Sequence, residues 1–128
     1  MNYGMRTTIV CSFKEAIEKT KDALTKEGFG ILTEIDVRAT LKKKLGVDFE
    51  NYFILGVCNP SFAYEALKAE KEIGLLLPCN VILYGVDGHV VVSAIQPSVA
   101  MNMVKNDKLV KMAREVEEKL KNMISAII

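Results

Sequence analysis

The pattern of apolar and polar residues predicts strands that alternate with helices along the chain. The stretch "MRTTIVC" is rich in β-branched residues and alternates weakly in polarity, which is typical of a strand. Ser12 and Glu15 follow with the spacing of a helix capping box, and apolar residues then recur at helical spacing until Gly28. The N-terminal part of the chain therefore predicts a strand and an amphipathic helix.

The middle of the chain predicts two more strands, each followed by a short helical segment. The stretches "FGILTEIDV" and "NYFILGVCN" have the composition of strands, and the basic stretch "RATLKKKLG" between them predicts a short helix or turn that ends at Gly46. Asn59 and Pro60 then predict the start of another short helix, because asparagine is a favoured N-cap and proline a favoured first helical residue.

The C-terminal half predicts a hairpin followed by a long helix. Asp87-Gly88 separates "CNVILYGV" from "HVVVSAIQ", and this dipeptide is a strong signal for a two-residue hairpin turn. Pro97 closes the last strand, and from about Asn106 one apolar stripe continues to the end. Because a hairpin is antiparallel, we predict an α+β fold with an antiparallel sheet of about five strands and helices on one face. No linker or repeat divides residues 1–128, which are predicted to form a single domain.

Composition and charge narrow the classes of function. Half of the 128 residues are hydrophobic and 26% are charged, as in globular proteins. The 17 Lys and Arg residues are balanced by 16 Asp and Glu residues, which argues against a nucleic-acid-binding surface. The N-terminus lacks the pattern of a signal peptide, and the longest uncharged run, residues 73–86, is too short to span a membrane. We therefore expect a cytoplasmic location, free cysteine thiols, and neither nucleic acid nor a membrane as a partner.

The dipeptide Cys-Asn occurs twice, directly before Pro60 and directly after Pro78. The first copy ends the predicted third strand, and the second copy begins the fourth. If these strands are antiparallel neighbours, the two copies lie together at one end of the sheet although they are far apart in sequence. The candidate site residues are therefore Cys58, Asn59, Cys79 and Asn80.

Several interpretations of these residues remain open. In the first, the cysteines are buried architecture, because free cysteine behaves as a small hydrophobe, and Asn59 only caps a helix. In the second, Cys58 is a reactive thiolate, since a helix N-terminus lowers a thiol pKa, and Cys79 resolves its oxidised form as a disulfide. In the third, Asn59, Asn80 and the helix N-terminus contact a small-molecule ligand beside the apolar wall of residues 73–77.

Metal binding is the fourth and least favoured interpretation. Two cysteines without paired spacing and the single histidine, His89, do not supply four zinc ligands in one chain. We therefore predict no metal site and no cofactor.

Two other groups of residues have simpler explanations. Glu34 and Asp36 share one face of the second strand and could act in acid–base chemistry, but a solvated face or an ion pair with Arg38 or Lys42 is favoured. Three tyrosines are expected to be spread apart, so that they form no stacking platform for single-stranded nucleic acid. They are Tyr52, Tyr64 and Tyr84.

The C-terminal stretch "NMISAII" carries more apolar surface than a solvated chain end needs. An apolar surface of this kind is commonly buried against a second copy of the same chain. We therefore expect a homodimer.

Four segments together resemble a known prokaryotic family. They are "EIDV", "YFILGVCNP", "IGLLLPCNV" and the Asp87-Gly88 hairpin, and from its first strand to about Pro97 the chain is similar to the family known as domain of unknown function 302. The resemblance implies a two-layer α+β fold with a curved antiparallel sheet, the core order β-α-β4-α and short inserted helices, similar to the topology of the TATA-binding protein. It implies no DNA binding and supplies no reaction.

Pattern, composition and resemblance together predict a small-ligand-binding or structural module without enzymatic activity, with its candidate site at the two Cys-Asn dipeptides. The alternative is a thiol-dependent redox protein or enzyme that uses Cys58 with Cys79. The two hypotheses differ in the state of the Cys58 thiol, which only the second requires as a thiolate.

Overall fold

The computed structural model describes residues 2–127 and contains one five-stranded antiparallel sheet. Its strands are β1 (Gly4–Ile9), β2 (Gly30–Asp36), β3 (Tyr52–Cys58), β4 (Cys79–Val86) and β5 (His89–Ile95). The order across the sheet is β1-β5-β4-β3-β2, so that β1 and β2 lie at the two edges. Every neighbouring pair is antiparallel, as the hairpin and the alternating strands predict.

Helices connect the strands and cover one face of the sheet. They are α1 (Phe13–Lys26), α2 (Val37–Leu45), α3 (Pro60–Ala69), α4 (Pro97–Ala100) and α5 (Asp107–Ala126), with 3₁₀ helices at Lys71–Leu76 and Met101–Met103. If α2, α3 and α4 are taken as short insertions, the core order is β-α-β4-α, which confirms the predicted α+β fold. Within residues 2–127, no helix is both long and apolar enough to cross a membrane.

Local sequence signals set the ends of the long helices and the hairpin turn. The Ser12 hydroxyl accepts a hydrogen bond from the Glu15 amide at 3.1 Å, and the Asn106 side chain accepts from amides in the first turn of α5. Asp87 and Gly88 have φ angles of 43° and 84°, the left-handed conformations that a tight hairpin turn requires. These predicted boundaries are confirmed.

The two carboxylates of β2 have structural partners. Glu34 forms an ion pair with Lys21 of α1 at 2.7 Å. Asp36 caps α2, because its Oδ1 accepts a hydrogen bond from a first-turn amide at 2.9 Å. Arg38 instead bonds to Asn51 and Lys42 to Asp48, so the ion pair with either of them is not the alternative that holds. The reason is geometric, since the pleat turns Glu34 toward α1 and the chain turns into a helix directly after Asp36. Both carboxylates are exposed, as the alternative of a solvated face predicts.

Most of the buried side chains form a main core between the sheet and helices α1 and α5. Those on the strands come from alternate positions, because successive side chains of a strand point to opposite faces. The largest fully buried members of this main core are Leu24, Leu55, Val57, Val81, Leu83, Val92, Leu120 and Met123.

A second cluster of apolar side chains lies beyond the end of the main core. Its buried members are Ala66 of α3, Ile73 of the following 3₁₀ helix and Leu109 of α5. Leu77 and Met101 are partly buried and pack against it. Helix α5 therefore contributes its N-terminal part to the second cluster and its C-terminal part to the main core.

The described apolar residues of the C-terminal stretch belong to the main core, and Ile128 lies outside the described residues. Met123, Ile124 and Ile127 are 0%, 8% and 5% exposed, because the last turns of α5 pack on the sheet. They are not the surplus apolar surface from which a homodimer was predicted, so that premise is wrong.

The face of the sheet opposite α1 and α5 carries a pair of stacked tyrosines. Tyr52 and Tyr84 are directly opposite in the register of β3 and β4, and their rings stack at 5.8 Å with an angle of 11°. Phe49 adds a tilted ring 6.3 Å from Tyr52. The prediction that the tyrosines are spread apart is therefore wrong for this pair, because cross-strand register brings distant residues into contact. Tyr64 lies apart on α3 and is exposed.

Candidate functional site

Strands β3 and β4 bring the two Cys-Asn dipeptides together. Val57 pairs with Cys79, and Gly56 pairs with Asn80 in this antiparallel register. Cys58 therefore lies one residue beyond the pair that contains Cys79. The predicted adjacency of the two dipeptides at one end of the sheet is confirmed.

A close backbone approach holds this end of the sheet together. Gly56 lies beneath Thr33 of β2 and Pro78, which directly precedes β4. A Cβ atom at Gly56 would overlap the Thr33 side chain and lie 2.9 Å from the Pro78 ring. Glycine at this position therefore allows the Thr33 side chain and the Pro78 ring to pack directly against the backbone of β3.

Helix α3 begins directly after the first Cys-Asn dipeptide. The Asn59 Oδ1 accepts a hydrogen bond from the Phe62 amide at 3.4 Å, and Pro60 occupies the first helical position. The helix runs away from the sheet, and the 3₁₀ helix Lys71–Leu76 returns the chain to Pro78. This excursion forms a helical cover over the end of β3 and β4.

A cavity of about 350 Å³ lies beneath that cover, between the main core and the second cluster. Phe29 and Val57 form its wall on the side of the main core. Ala66 and Leu109 form its wall on the side of the second cluster. The two apolar clusters therefore do not close on each other at this end of the molecule.

Two side chains of the cavity wall, one on β2 and one on α3, are exposed to solvent. The register of the sheet shifts between Ile31 and Thr33, so that Leu32 is an extra residue on the edge strand. Leu32 and Leu67 both line the cavity and are 62% and 42% exposed. The wall of the cavity therefore includes two leucine side chains that are accessible from solvent.

The walls of the cavity are almost wholly apolar. Among the described residues 2–127, no Asp, Glu, Lys, Arg or His lines it. Its polar side chains are the amide of Asn59 and the thiols of Cys58 and Cys79. Such a site can hold an apolar molecule, and it lacks a charged group for acid–base chemistry.

Comparison with known proteins gives the family of this chain. The model of the family described as "Domain of unknown function DUF302" matches residues 5–127. The chain belongs to the DUF302 family. A crystal structure of an uncharacterized conserved DUF302 protein from Bacillus stearothermophilus is 27% identical over 100% of both chains, with a TM-score of 0.92. Among curated proteins, none matches. The resemblance and the fold that it implies are confirmed.

Burial disfavours the thiolate form of both cavity thiols in this DUF302 chain. Burial raises the pKa of the Cys58 thiol above its ordinary value. Burial and the neighbouring Cys58 raise the pKa of Cys79 to about 11. Desolvation therefore outweighs the helix N-terminus that was expected to lower the pKa of Cys58. The thiols behave as small apolar groups of the wall.

The fourth candidate residue of the DUF302 chain lies elsewhere. Asn80 is exposed and lines a second recess of about 280 Å³ together with Leu75 and Ile95. It points away from the cavity because it follows Cys79 on a strand. The predicted apolar wall of residues 73–77 is also divided, since Leu77 lines the cavity whereas Leu75 is 81% exposed. The structure therefore brings Cys58, Asn59 and Cys79 into one cavity without Asn80.

The helical walls of the cavity were not predicted from the sequence. Phe62 of α3, Met101 of the short 3₁₀ helix, and Met112 and Ala113 of α5 all line it. A partial signal existed in α5, whose apolar stripe includes Met112 and Ala113. The stripe does not reveal which of its residues pack into the core and which face a cavity.

Within the described residues, the titratable groups do not form a metal centre. No group of three or more His, Cys, Asp or Glu residues is placed to hold a metal ion. The thiols of Cys11, Cys58 and Cys79 are free in this structure.

Proposed function

We propose that this DUF302 protein is a non-enzymatic module that binds a small apolar molecule in the cavity between the main core and the second cluster. The observation that carries the proposal is the cavity itself. Its volume of about 350 Å³ lies within the range of roughly 300–1,000 Å³ that is typical of ligand pockets. Its walls combine an apolar surface with a few polar atoms, which is the usual composition of such pockets.

Small residues along the helical walls support a binding role. Ala66 of α3 and Ala113 of α5 are buried and line the cavity, and Gly74 lines it from the 3₁₀ helix. Larger apolar residues at these positions would bring the two clusters together, as close packing favours in a protein interior. The chain instead has small residues in the cavity wall on three separate helical segments.

The states of the thiols favour binding over thiol chemistry. A nucleophilic or redox cysteine acts as its thiolate, which requires a pKa near or below the working pH. The pKa values of Cys58 and Cys79 are shifted upward, and neither base nor cation lines the cavity within residues 2–127. The alternative of a thiol-dependent enzyme is therefore less well supported than a binding module.

A titration with two neutral bicyclic alcohols tests the proposal. The probes are 2-naphthol and its saturated analogue decahydro-2-naphthol, and binding is followed by the chemical shifts of the wall methyl groups. We expect at least one probe to bind saturably at one site per chain and to shift the methyl signals of Met112 and Leu109. If neither probe binds saturably, the proposed function is wrong.

A pair of matched variants locates the binding site. Ala113→Leu places an isobutyl group in the cavity, whereas Ala126→Leu makes the same change at an exposed position of the same helix. We expect the first variant to weaken probe binding by about tenfold or more, which is about 1.4 kcal/mol. The second variant should bind as the wild type does. Equal binding by both variants would place the probe outside the cavity.

A further inference from the structure

Sulfur atoms are unusually concentrated around the cavity. Cys58 and Cys79 contribute thiols from the end of the sheet, and Met101 and Met112 contribute thioethers from the helical side. Sulfur is polarisable and makes favourable contacts with the edges and faces of aromatic rings. Two walls that approach from different elements therefore present the same kind of atom to whatever lies between them.

Aromatic side chains add to this lining. Phe29, which is 3% exposed, lines the cavity next to β2, and Phe62 lines it from the first turn of α3. Aromatic rings prefer offset-stacked or edge-to-face contacts with other rings. Sulfur and phenyl groups thus provide the cavity with partners for a π system, in addition to ordinary apolar surface.

The protonation of the thiols suits the same kind of occupant. A neutral S–H group is a weak donor that can point at the electron-rich face of an aromatic ring. A thiolate would instead repel that face. Cys58 and Cys79 are held in the neutral form by their burial.

We propose that the ligand of this cavity is a flat, uncharged aromatic molecule of about two fused rings. This inference rests on the proposed binding function and names the class of molecule that the same cavity selects. The size follows from volume, since an apolar cavity of about 150 Å³ accommodates one benzene ring and this cavity measures about 350 Å³.

A ligand with a charged group inside the cavity fits these walls poorly. An ionised carboxylate buried without a partner carries a large desolvation penalty. Lys68 lies on the same helix as the wall residue Leu67, but its Nζ pairs with Glu65 at 3.0 Å and lies 4.5 Å from the Tyr64 ring. It does not line the cavity.

The comparison of 2-naphthol with decahydro-2-naphthol tests the class of ligand. The two probes share a carbon skeleton and a hydroxyl group, but only the first is flat and aromatic. The hydrophobic effect alone would favour the saturated probe, because it exposes more apolar surface to water. We expect 2-naphthol to bind about tenfold more tightly, and 2-naphthoate, which carries a charge at pH 7, to bind more weakly than either.

The outcomes separate the two proposals. Equal binding of the two alcohols, or tighter binding of the saturated one, would leave the binding function standing and overturn the aromatic ligand. Tighter binding of 2-naphthoate would also overturn it. Saturable binding of neither alcohol would remove the binding function, and the aromatic ligand with it.

A variant without the two thioethers tests their role. Met101→Leu with Met112→Leu keeps the apolar volume of the wall nearly constant, a change that cores usually tolerate. We expect this double variant to reduce the preference for 2-naphthol over decahydro-2-naphthol by several-fold. Met103→Leu, at a residue that is 74% exposed and does not line the cavity, is the control. An unchanged preference in the double variant would show that the thioethers do not select the ring.

Discussion

The two apolar clusters of this molecule are packed to different degrees. In the main core, Leu24, Leu55 and Leu120 are completely buried between the sheet and helices α1 and α5. In the second cluster, Leu109 is 3% exposed, but a cavity of about 350 Å³ lies beside it. The same helix, α5, takes part in both.

This difference suggests that the main core stabilises the fold and that the region around the cavity opens more easily. A fully packed core supplies most of the free energy of folding, and loosely packed elements are the ones that open locally. The helical cover, residues 59–78, contacts the rest of the chain mainly where α3 packs against α5. It is therefore the part of the molecule from which a ligand would enter and leave.

The largest expected effect comes from truncating one leucine in each cluster. Leu55→Ala should lower the free energy of unfolding by about 4 kcal/mol, because it leaves a new cavity in a closely packed core. Leu109→Ala should lower it by about 2 kcal/mol, since that side chain already borders a cavity and loses fewer contacts. Urea denaturation followed by circular dichroism measures both values. Equal losses would contradict the difference in packing.

Enlarging one alanine of the main core and one alanine of the cavity wall should give a smaller effect, destabilising at the first position only. Ala23 faces the main core from α1, and Ala23→Leu should cost about 2 kcal/mol by overpacking. Ala113→Leu should leave the free energy of unfolding within about 1 kcal/mol of the wild type or raise it, because its new side chain occupies cavity volume. Thermal and urea unfolding test this pair. A loss at Ala113 as large as that at Ala23 would mean that the cavity cannot accept the side chain.

The fold could be predicted from the sequence because its boundaries are set by local chemistry. Ser12, Asn59 and Asn106 are N-caps, and Asp87-Gly88 forms the tight turn between β4 and β5. Each of these signals lies within a few residues of the feature that it sets. The short helix α4 and the 3₁₀ helices were missed, because segments of a few residues have too little periodicity to be recognised.

The candidate site could be predicted only in part, for a different reason. The adjacency of the Cys-Asn dipeptides followed from strand order, whereas the other walls come from α5 and α3 and depend on tertiary packing. Alternation along β4 indicates the error at Asn80, because Cys79 and Asn80 are consecutive on that strand. The same rule would wrongly separate Cys58 from Val57, which both line the cavity because β3 ends at Cys58. The direction of the Cys58 pKa shift depends on how deeply the thiol is buried, which sequence does not show.

Cys79 marks the border between the two clusters, since it packs against the main core and also lines the cavity. Folding raises the pKa of its thiol from 9.0 to about 11. Between these values the unfolded chain has lost the proton and the folded protein still holds it. Unfolding then releases a proton, so the free energy of unfolding falls as pH rises through this window.

The smallest predicted effect is therefore on the dependence of stability on pH. Between pH 9 and pH 11 the titration of Cys79 should lower the free energy of unfolding by about 1 kcal/mol, after allowance for its partial exposure. The pKa values of Cys58 and Tyr52 are also raised. The quantity to compare is therefore the slope of the free energy of unfolding against pH in each variant, relative to the wild type. Cys79→Ala and Cys79→Val should both flatten the slope, although only valine keeps the packing volume. If the dependence of the free energy of unfolding on pH is unchanged in both variants, the Cys79 thiol is not desolvated. The closely packed region then does not extend to the first residue of β4. If alanine alone changes the slope, the cause is packing rather than the titration of Cys79.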